Sequence, residues 1–296
     1  MGNFNAEKFL PSIKKTTILA LFLLLLPFWG RVEAQTQTIK QGEVLLYPIN
    51  YGTNSSAYFG GEKIPVLKYA GNSYAIVLAG VSKKPGNYYL RIKEDTTELE
   101  KKIIQVKRGN FKQVRRGIPY KFNTLSKDKQ ASIAQDKAPL LSALGKASII
   151  SSGEEHTNFI NPLQDIKITS PFGYKRIYNN HSTTHQGVDL KADIGTAVYA
   201  ISDGEVLWGE GKSLYLEGPM VVINHGDGIV SEYLHLSKVS VEAGAVVHGG
   251  DIIGYSGDQG ADVSGAHLHF AIKVGKTFVD PLQFIKEFQK IENKPF

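Results

Sequence analysis

Four histidines and an aspartate recur at short spacings in the second half of the chain, in His185-Gln186-Gly187-Val188-Asp189, Tyr233-Leu234-His235-Leu236-Ser237 and His267-Leu268-His269. Imidazole nitrogen and carboxylate oxygen are ligands that zinc takes in catalytic sites, three from the protein with a fourth position left to water. Two neutral imidazoles and one carboxylate leave a net positive charge on the ion, which lowers the pKa of bound water to about 7. The chemistry is metal-assisted hydrolysis with that water as nucleophile. Five groups exceed what the ion needs, so some histidines are left to move protons. No His-Glu-x-x-His segment places a glutamate as base, and His235 and His267 remain for that task, since an imidazole titrates near neutral pH.

These groups need strands to position them. Side chains alternate faces along an extended chain, so His267 and His269 point the same way and Leu268 points into a core. His185 and Asp189, four apart, share one side of a strand or a helical turn; Gly187 and the β-rich surroundings favour the extended form. Three groups can thus converge from two strands on one metal. Spacing alone does not say which of His267 and His269 is the ligand.

The three motifs together resemble the lysostaphin/LytM family of zinc endopeptidases, which cut peptide cross-links in bacterial cell walls. The likeness extends to Ser170-Pro171-Phe172-Gly173 with Arg176, to Gly195-Thr196-Ala197-Val198 with Ala200 and Asp203-Gly204-Glu205-Val206, to Val222-Ile223-Asn224-His225-Gly226-Asp227-Gly228, and to Gly249-Gly250-Asp251-Ile252-Ile253-Gly254. It covers roughly residues 163 to 285. The resemblance implies that His185, Asp189 and His269 bind Zn2+ and that His235 and His267 are the unligated catalytic pair. It also implies an antiparallel β domain with zinc at the floor of a groove, and peptidoglycan peptide stems as substrate. The loop Gly257–Ala266 departs from the family pattern, being about one residue longer with Ala266 where a proline is usual. A tyrosine near Tyr178 helps hold the oxyanion in some relatives, which makes Tyr178 a candidate for that role. Two rival functions follow from the same residues: a non-catalytic envelope regulator that activates cell-wall amidases, and an exported zinc peptidase acting on ordinary proteins. The intact five-residue set argues against the regulator.

The remaining sequence predicts a mainly β chain in four parts. Residues 1–34 read as an export signal: Lys8, Lys14 and Lys15 precede an apolar run from Ile18, and Val32-Glu33-Ala34 offers a cleavage site. Extended to Trp29 the run has 12 residues, short of the roughly 20 that span a bilayer. The mature chain is therefore expected without a stable membrane span, in the periplasm, envelope or medium. Cleavage removes four Lys/Arg and two Asp/Glu, lowering the net charge from +6 to +4. Cysteine is absent, which excludes disulfides and thiolate chemistry.

Residues 35–118 carry turn signals every ten or so residues between runs such as Val44-Leu45-Leu46-Tyr47 and Tyr74-Ala75-Ile76-Val77-Leu78, as expected of a β-sandwich. Gln41-Gly42-Glu43-Val44 and Lys84-Pro85-Gly86-x-Tyr88 resemble the immunoglobulin-like modules that precede some such peptidase domains. Residues 119–160 read as a helical connector, capped at Ser126 and stopped at Gly145, with Ile133, Lys137, Leu140, Leu141 and Leu144 on one face. Pro139 predicts a kink or two short helices. Residues 161–296 form the expected zinc peptidase domain. The long connector raises the expectation that the N-terminal region folds back over the groove. The basic cluster at 107–121 lacks interleaved aromatics, so nucleic acid is not an expected partner. His156, His181 and His248 read as exposed loop residues, and His225 as a turn former.

Overall fold

The computed structural model describes residues 36–292 apart from 53, 116–120, 147–154, 157, 180, 210, 212 and 262. The expected export signal, 1–34, lies outside the described residues. The architecture is mainly β, as expected.

In the N-terminal part, a five-stranded sheet runs Gln37–Lys40, Thr97–Lys107, Gly86–Glu94, Ser55–Phe59, Glu62–Ile64. A four-stranded sheet runs Glu155–His156, Val66–Tyr69, Asn72–Leu78, Val44–Ile49. Pairing is antiparallel except at the two outermost strands Gln37–Lys40 and Glu155–His156, which pair in parallel. Ile39, Phe59, Leu90, Ile92 and Ile104 of the first sheet and Tyr47, Ile49, Ala75 and Val77 of the second share one core. The opposite face of the second sheet, Val44, Leu46, Leu67, Tyr69, Tyr74 and Ile76, belongs to another core, with the C-terminal part. Burial on both faces explains why Tyr74-Ala75-Ile76-Val77 is continuously apolar rather than alternating.

The C-terminal part is built on an antiparallel eight-stranded sheet: Ile168–Ser170, Val188–Leu190, Leu268–Val274, Ile229–Leu234, Val221–Asn224, Gly204–Trp208, Val246–Val247, with Thr277–Val279 also pairing with Leu268–Val274. Helix α2 (Pro281–Glu292) closes the core with Phe284, Ile285 and Phe288. Its start follows from local chemistry. Asp280 Oδ1 accepts from the amides of Leu282 and Gln283, 3.1 and 3.2 Å away, and Pro281 takes the first helical position, where no donor is needed. Gln283 then bonds both the amide and the carbonyl of Val44, at 2.7 and 2.8 Å, tying the helix to the four-stranded sheet.

The connector departs from expectation in two ways. Helix α1 (Lys127–Lys146) is one continuous helix that contains Pro139. Its buried Leu140 packs in a cluster with Trp208, Met220, Val222 and Leu234, and this tertiary packing outweighs the hydrogen bond that proline forfeits. Ser126 does cap it, its Oγ accepting from the Lys129 amide at 3.2 Å. His156 is not an exposed loop residue. The Glu155–His156 strand pairs with Val66–Tyr69 and brings the His156 ring onto Phe159, with Nε2 2.7 Å from Asp227 Oδ2; only 5% of the His156 side chain is exposed. A two-residue strand in polar sequence carries no periodic signal. His181 and His248 are exposed.

Behind the site, His225 is buried, with Nδ1 2.7 Å from the Asp203 carbonyl and Nε2 2.8 Å from Ser231 Oγ. Ser231 Oγ lies 3.1 Å from Tyr233 Oη, which accepts from the Ile201 amide at 3.0 Å. Burial, seconded by the nearby His156, pushes the His225 imidazole down to about 4 despite the Asp203 carbonyl. The unfolded chain therefore takes up a proton as pH falls below about 6.5 while the folded one does not, and stability is lost between there and about 4. The loss amounts to about 3 kcal/mol by linkage. In urea unfolding from pH 7 to 4, His225→Gln should be less stable than wild type at neutral pH and converge with it in acid. Parallel curves would refute this assignment.

Candidate metal centre

The pairing register brings the site together. Asp189 lies directly opposite His269 on adjacent antiparallel strands, with Leu190 opposite Leu268 beneath them. His185 is held by its backbone, its amide donating to the Tyr174 carbonyl and its carbonyl accepting from Gly173, both at 2.9 Å. The result is a triangle: His185 Nε2 to Asp189 Oδ1 is 3.0 Å, His185 Nε2 to His269 Nδ1 3.0 Å, and His269 Nδ1 to Asp189 Oδ1 2.9 Å. Among the described residues this is the one group of three or more His, Cys, Asp or Glu arranged to hold a metal ion.

The donor chemistry fits a cation. His185 Nδ1 sits 2.9 Å from the Pro171 carbonyl. A carbonyl only accepts, so the proton resides on Nδ1 and Nε2 turns a lone pair into the triangle. That lone pair faces a carboxylate oxygen at 3.0 Å with no proton of its own to share. Edges near 3 Å suit ligands about 2 Å from a common ion. Burial raises the Asp189 carboxyl, but the His185 and His269 rings beside it outweigh burial and hold the group well below the usual carboxylate range. Burial lowers the His269 imidazole and keeps it neutral, as a ligand must be.

His235 and His267 form a second layer. Their rings are 5.0 Å apart, and His235 is 5.9 Å from His269. His235 Nδ1 is 2.9 Å from the Gln259 carbonyl and His267 Nδ1 2.8 Å from the Gly265 carbonyl, so in both rings Nε2 is the nitrogen left for chemistry. His267 Nε2 reaches to 3.7 Å from Asp189 Oδ1. Burial, then the neighbouring His269 and His267, bring the His235 imidazole down to about 4. The two carbonyls come from the long loop 257–266, which therefore orients the pair as well as edging the groove.

His235 has φ +66°, in the left-handed region. Leu234 is the residue registered against His269, so simple alternation would send the His235 side chain to the opposite face. The left-handed turn breaks the alternation, at a cost of roughly 1–2 kcal/mol. Sequence reasoning did not foresee it. Nor did it foresee the Arg176 guanidinium, 3.4 Å from both Asp189 Oδ2 and Ser170 Oγ, which steadies the carboxylate oxygen facing away from the triangle. Tyr178 lines the adjoining cavity with His185 and His269. Asp193 lies outside the cluster; its carbonyl accepts from Thr196 and Ser256 in a turn.

Fold and site together define a mainly β protein with a groove-side His–Asp–His cluster suited to a metal. The sequence profile of peptidase family M23 matches residues 183–281, about a third of the chain. Relatives include the DD-carboxypeptidase/endopeptidase Mpg of Neisseria meningitidis serogroup B, 37% identical over 42% of this chain and 28% of that protein. Another is the peptidoglycan DD-endopeptidase ShyA of Vibrio cholerae, 38% identical over 36% of this chain and 25% of ShyA. Lysostaphin of Staphylococcus staphylolyticus is 40% identical over 34% of this chain and 22% of lysostaphin. The chain thus spans about a quarter of the length of these relatives. A crystal structure of a candidate M23 peptidase from Pseudomonas aeruginosa superposes with a TM-score of 0.59 at 23% identity, over 83% of this chain and 95% of that one, which shows a shared fold.

Gly187 lies hard against the neighbouring strand: a Cβ there would sit 2.4 Å from the Phe270 carbonyl oxygen and 2.8 Å from His269 Nε2. The backbone contact cannot yield without shifting the Asp189 strand. Gly187→Ala should weaken metal binding tenfold or more while leaving the circular-dichroism spectrum β-rich. Competition with a chromophoric chelator measures it, and unchanged affinity would contradict the close packing.

Proposed function

We propose that the chain is an exported zinc endopeptidase that hydrolyses peptide cross-links of bacterial peptidoglycan. The observation that carries this reading is the triangle of His185, Asp189 and His269 with two carbonyl-anchored histidines beside it. Matches to peptidoglycan-cleaving relatives over the same region support the substrate class. Localisation in the periplasm or envelope rests on the sequence pattern of residues 1–34; in the described residues no helix is long and apolar enough to cross a membrane.

His185, Asp189 and His269 would hold the ion. Bound zinc supplies Lewis acidity and acidifies water. Of His235 and His267, one takes the proton from the attacking water at Nε2, while the other donates from Nε2 to the developing oxyanion or the leaving amine. The Gln259 and Gly265 carbonyls accept from Nδ1 of these rings, holding the tautomer and stabilising the imidazolium as it forms. Tyr178, which lines the cavity, adds a donor to the oxyanion in this reading. Leu140, Leu141 and Leu144 of α1 form part of the same wall, which supports the reading that the N-terminal region restricts access to the groove.

Purified chain incubated with sacculi should release soluble muropeptides, stop on adding chelator and recover with zinc. His269→Ala should lose at least a thousandfold in rate together with its metal. Digestion of casein without release of muropeptides would overturn the substrate reading, and no hydrolysis of either by the zinc-loaded chain would favour a binding module. Tyr178→Phe should slow turnover about tenfold without releasing zinc; unchanged turnover removes the tyrosine from the site.

A further inference from the structure

The cavity beside the metal cluster, about 400 Å³, is lined by His185 and His269 and, further along, by Glu217, Glu232, Lys273 and Lys137 of α1. Lys137 Nζ makes a short ion pair with Glu217 Oε1, and the Glu217 side chain is only 13% exposed. Glu217 is fixed to the catalytic layer through its backbone, its carbonyl accepting from the His235 amide at 3.1 Å. Glu232 stands two residues along its strand from Leu234, opposite Ala271 as Leu234 is opposite His269. It therefore shares the groove-side face, roughly 7 Å from that row. Among the described residues, the Glu232 carboxylate accepts no hydrogen bond. Burial pushes its carboxyl up to about 6, with Lys273 and Lys137 opposing.

Two carboxylates thus line the groove, and one ammonium from a separate element, the connector helix, is paired with Glu217. Without Lys137, Glu217 and Glu232 share the cavity with the Lys273 ammonium, which lies over the Phe278 ring with Nζ 5.7 Å from its centre, and with the Arg176 guanidinium, which is turned to Asp189. A half-buried surplus of negative charge next to a reaction centre selects a cation.

We propose that Glu217 and Glu232 form a specificity subsite for a primary ammonium group carried on a side chain of the peptide substrate, and that Lys137 occupies it as an intramolecular stand-in. This rests on the endopeptidase reading for the identity of the ligand as a substrate. The binding itself involves no bond-making step. Glu217 and Glu232 are positioning groups here, and their contribution appears in binding and KM rather than in proton transfer.

The test uses the metal-free full chain and two probes, glycyl-lysyl-glycine amide and its Nε-acetylated form, with binding followed by titration calorimetry. Lys137→Met should bind the free-amine probe about tenfold more tightly than wild type, as expected for one charge-assisted hydrogen bond released from competition. The acetylated probe should bind both chains alike, and adding Glu217→Gln to Lys137→Met should abolish the preference. Lys137→Gln, which keeps a polar stem, gives a second reading should the methionine variant fold poorly. Equal binding of the two probes to the Lys137 variants would overturn the subsite and leave Lys137–Glu217 as a structural tie. Selective binding of the free amine by a chain that cleaves no sacculi would instead keep the subsite and sink the hydrolytic reading. Cleavage of sacculi with no amine preference would do the reverse.

Discussion

Everything at the site depends on one cross-strand register, Asp189 opposite His269. Because side chains alternate with a period of two, a slip of one residue would turn either group into the core and leave the other facing a leucine. The register is secured from below. Val188, Leu190, Leu268 and Phe270 are almost fully buried, so a slip of either strand would turn two of these apolar side chains out of the core. The polar cluster is thus held by the hydrophobic cost of the alternative. Its own attractions are secondary, since a carboxylate and two imidazole lone pairs packed this closely repel until a cation or a proton lies between them.

A second constraint is the handling of protons. His185, His235 and His267 each present Nδ1 to a backbone carbonyl, of Pro171, Gln259 and Gly265 respectively. Backbone acceptors do not titrate, so the tautomers stay fixed while the side chains around them change charge. His269 is the exception, turning Nδ1 toward Asp189. One cluster therefore contains histidines of both orientations, and the difference is set by which loop lies behind each ring. The left-handed backbone at His235 belongs to the same design, since it lets a residue that follows the groove-facing Leu234 also reach the groove.

Much of this was legible in the residues. The His-x-His spacing gave a shared face, and the four-residue spacing of His185 and Asp189 put both on one side of an extended segment. The choice between His267 and His269 was not legible from spacing, because it depends on the register with a strand some 80 residues away. The His235 turn was hidden because left-handed backbone has no sequence mark when the residue is not glycine. His156 was misjudged for a related reason: a strand of two residues is defined by its partner, not its own pattern. For α1, the proline rule held locally and lost to tertiary packing around Leu140.

The connector shows how such non-local terms add up. On one side of α1, Gln113–Arg115 pairs with Lys175–Ile177, the strand that carries Arg176. On the other, Glu155–His156 pairs with the N-terminal four-stranded sheet while His156 reaches Asp227 in the C-terminal part. Neither clip is long enough to be stable alone, as helix and strand formation both need tertiary support at this size. Together with Leu140 they fix the helix where Lys137 meets Glu217. The helix is thus held by one leucine cluster, short flanking strands and an ion pair, and the groove wall it forms meets any competing cation at the Glu217 carboxylate that Lys137 holds.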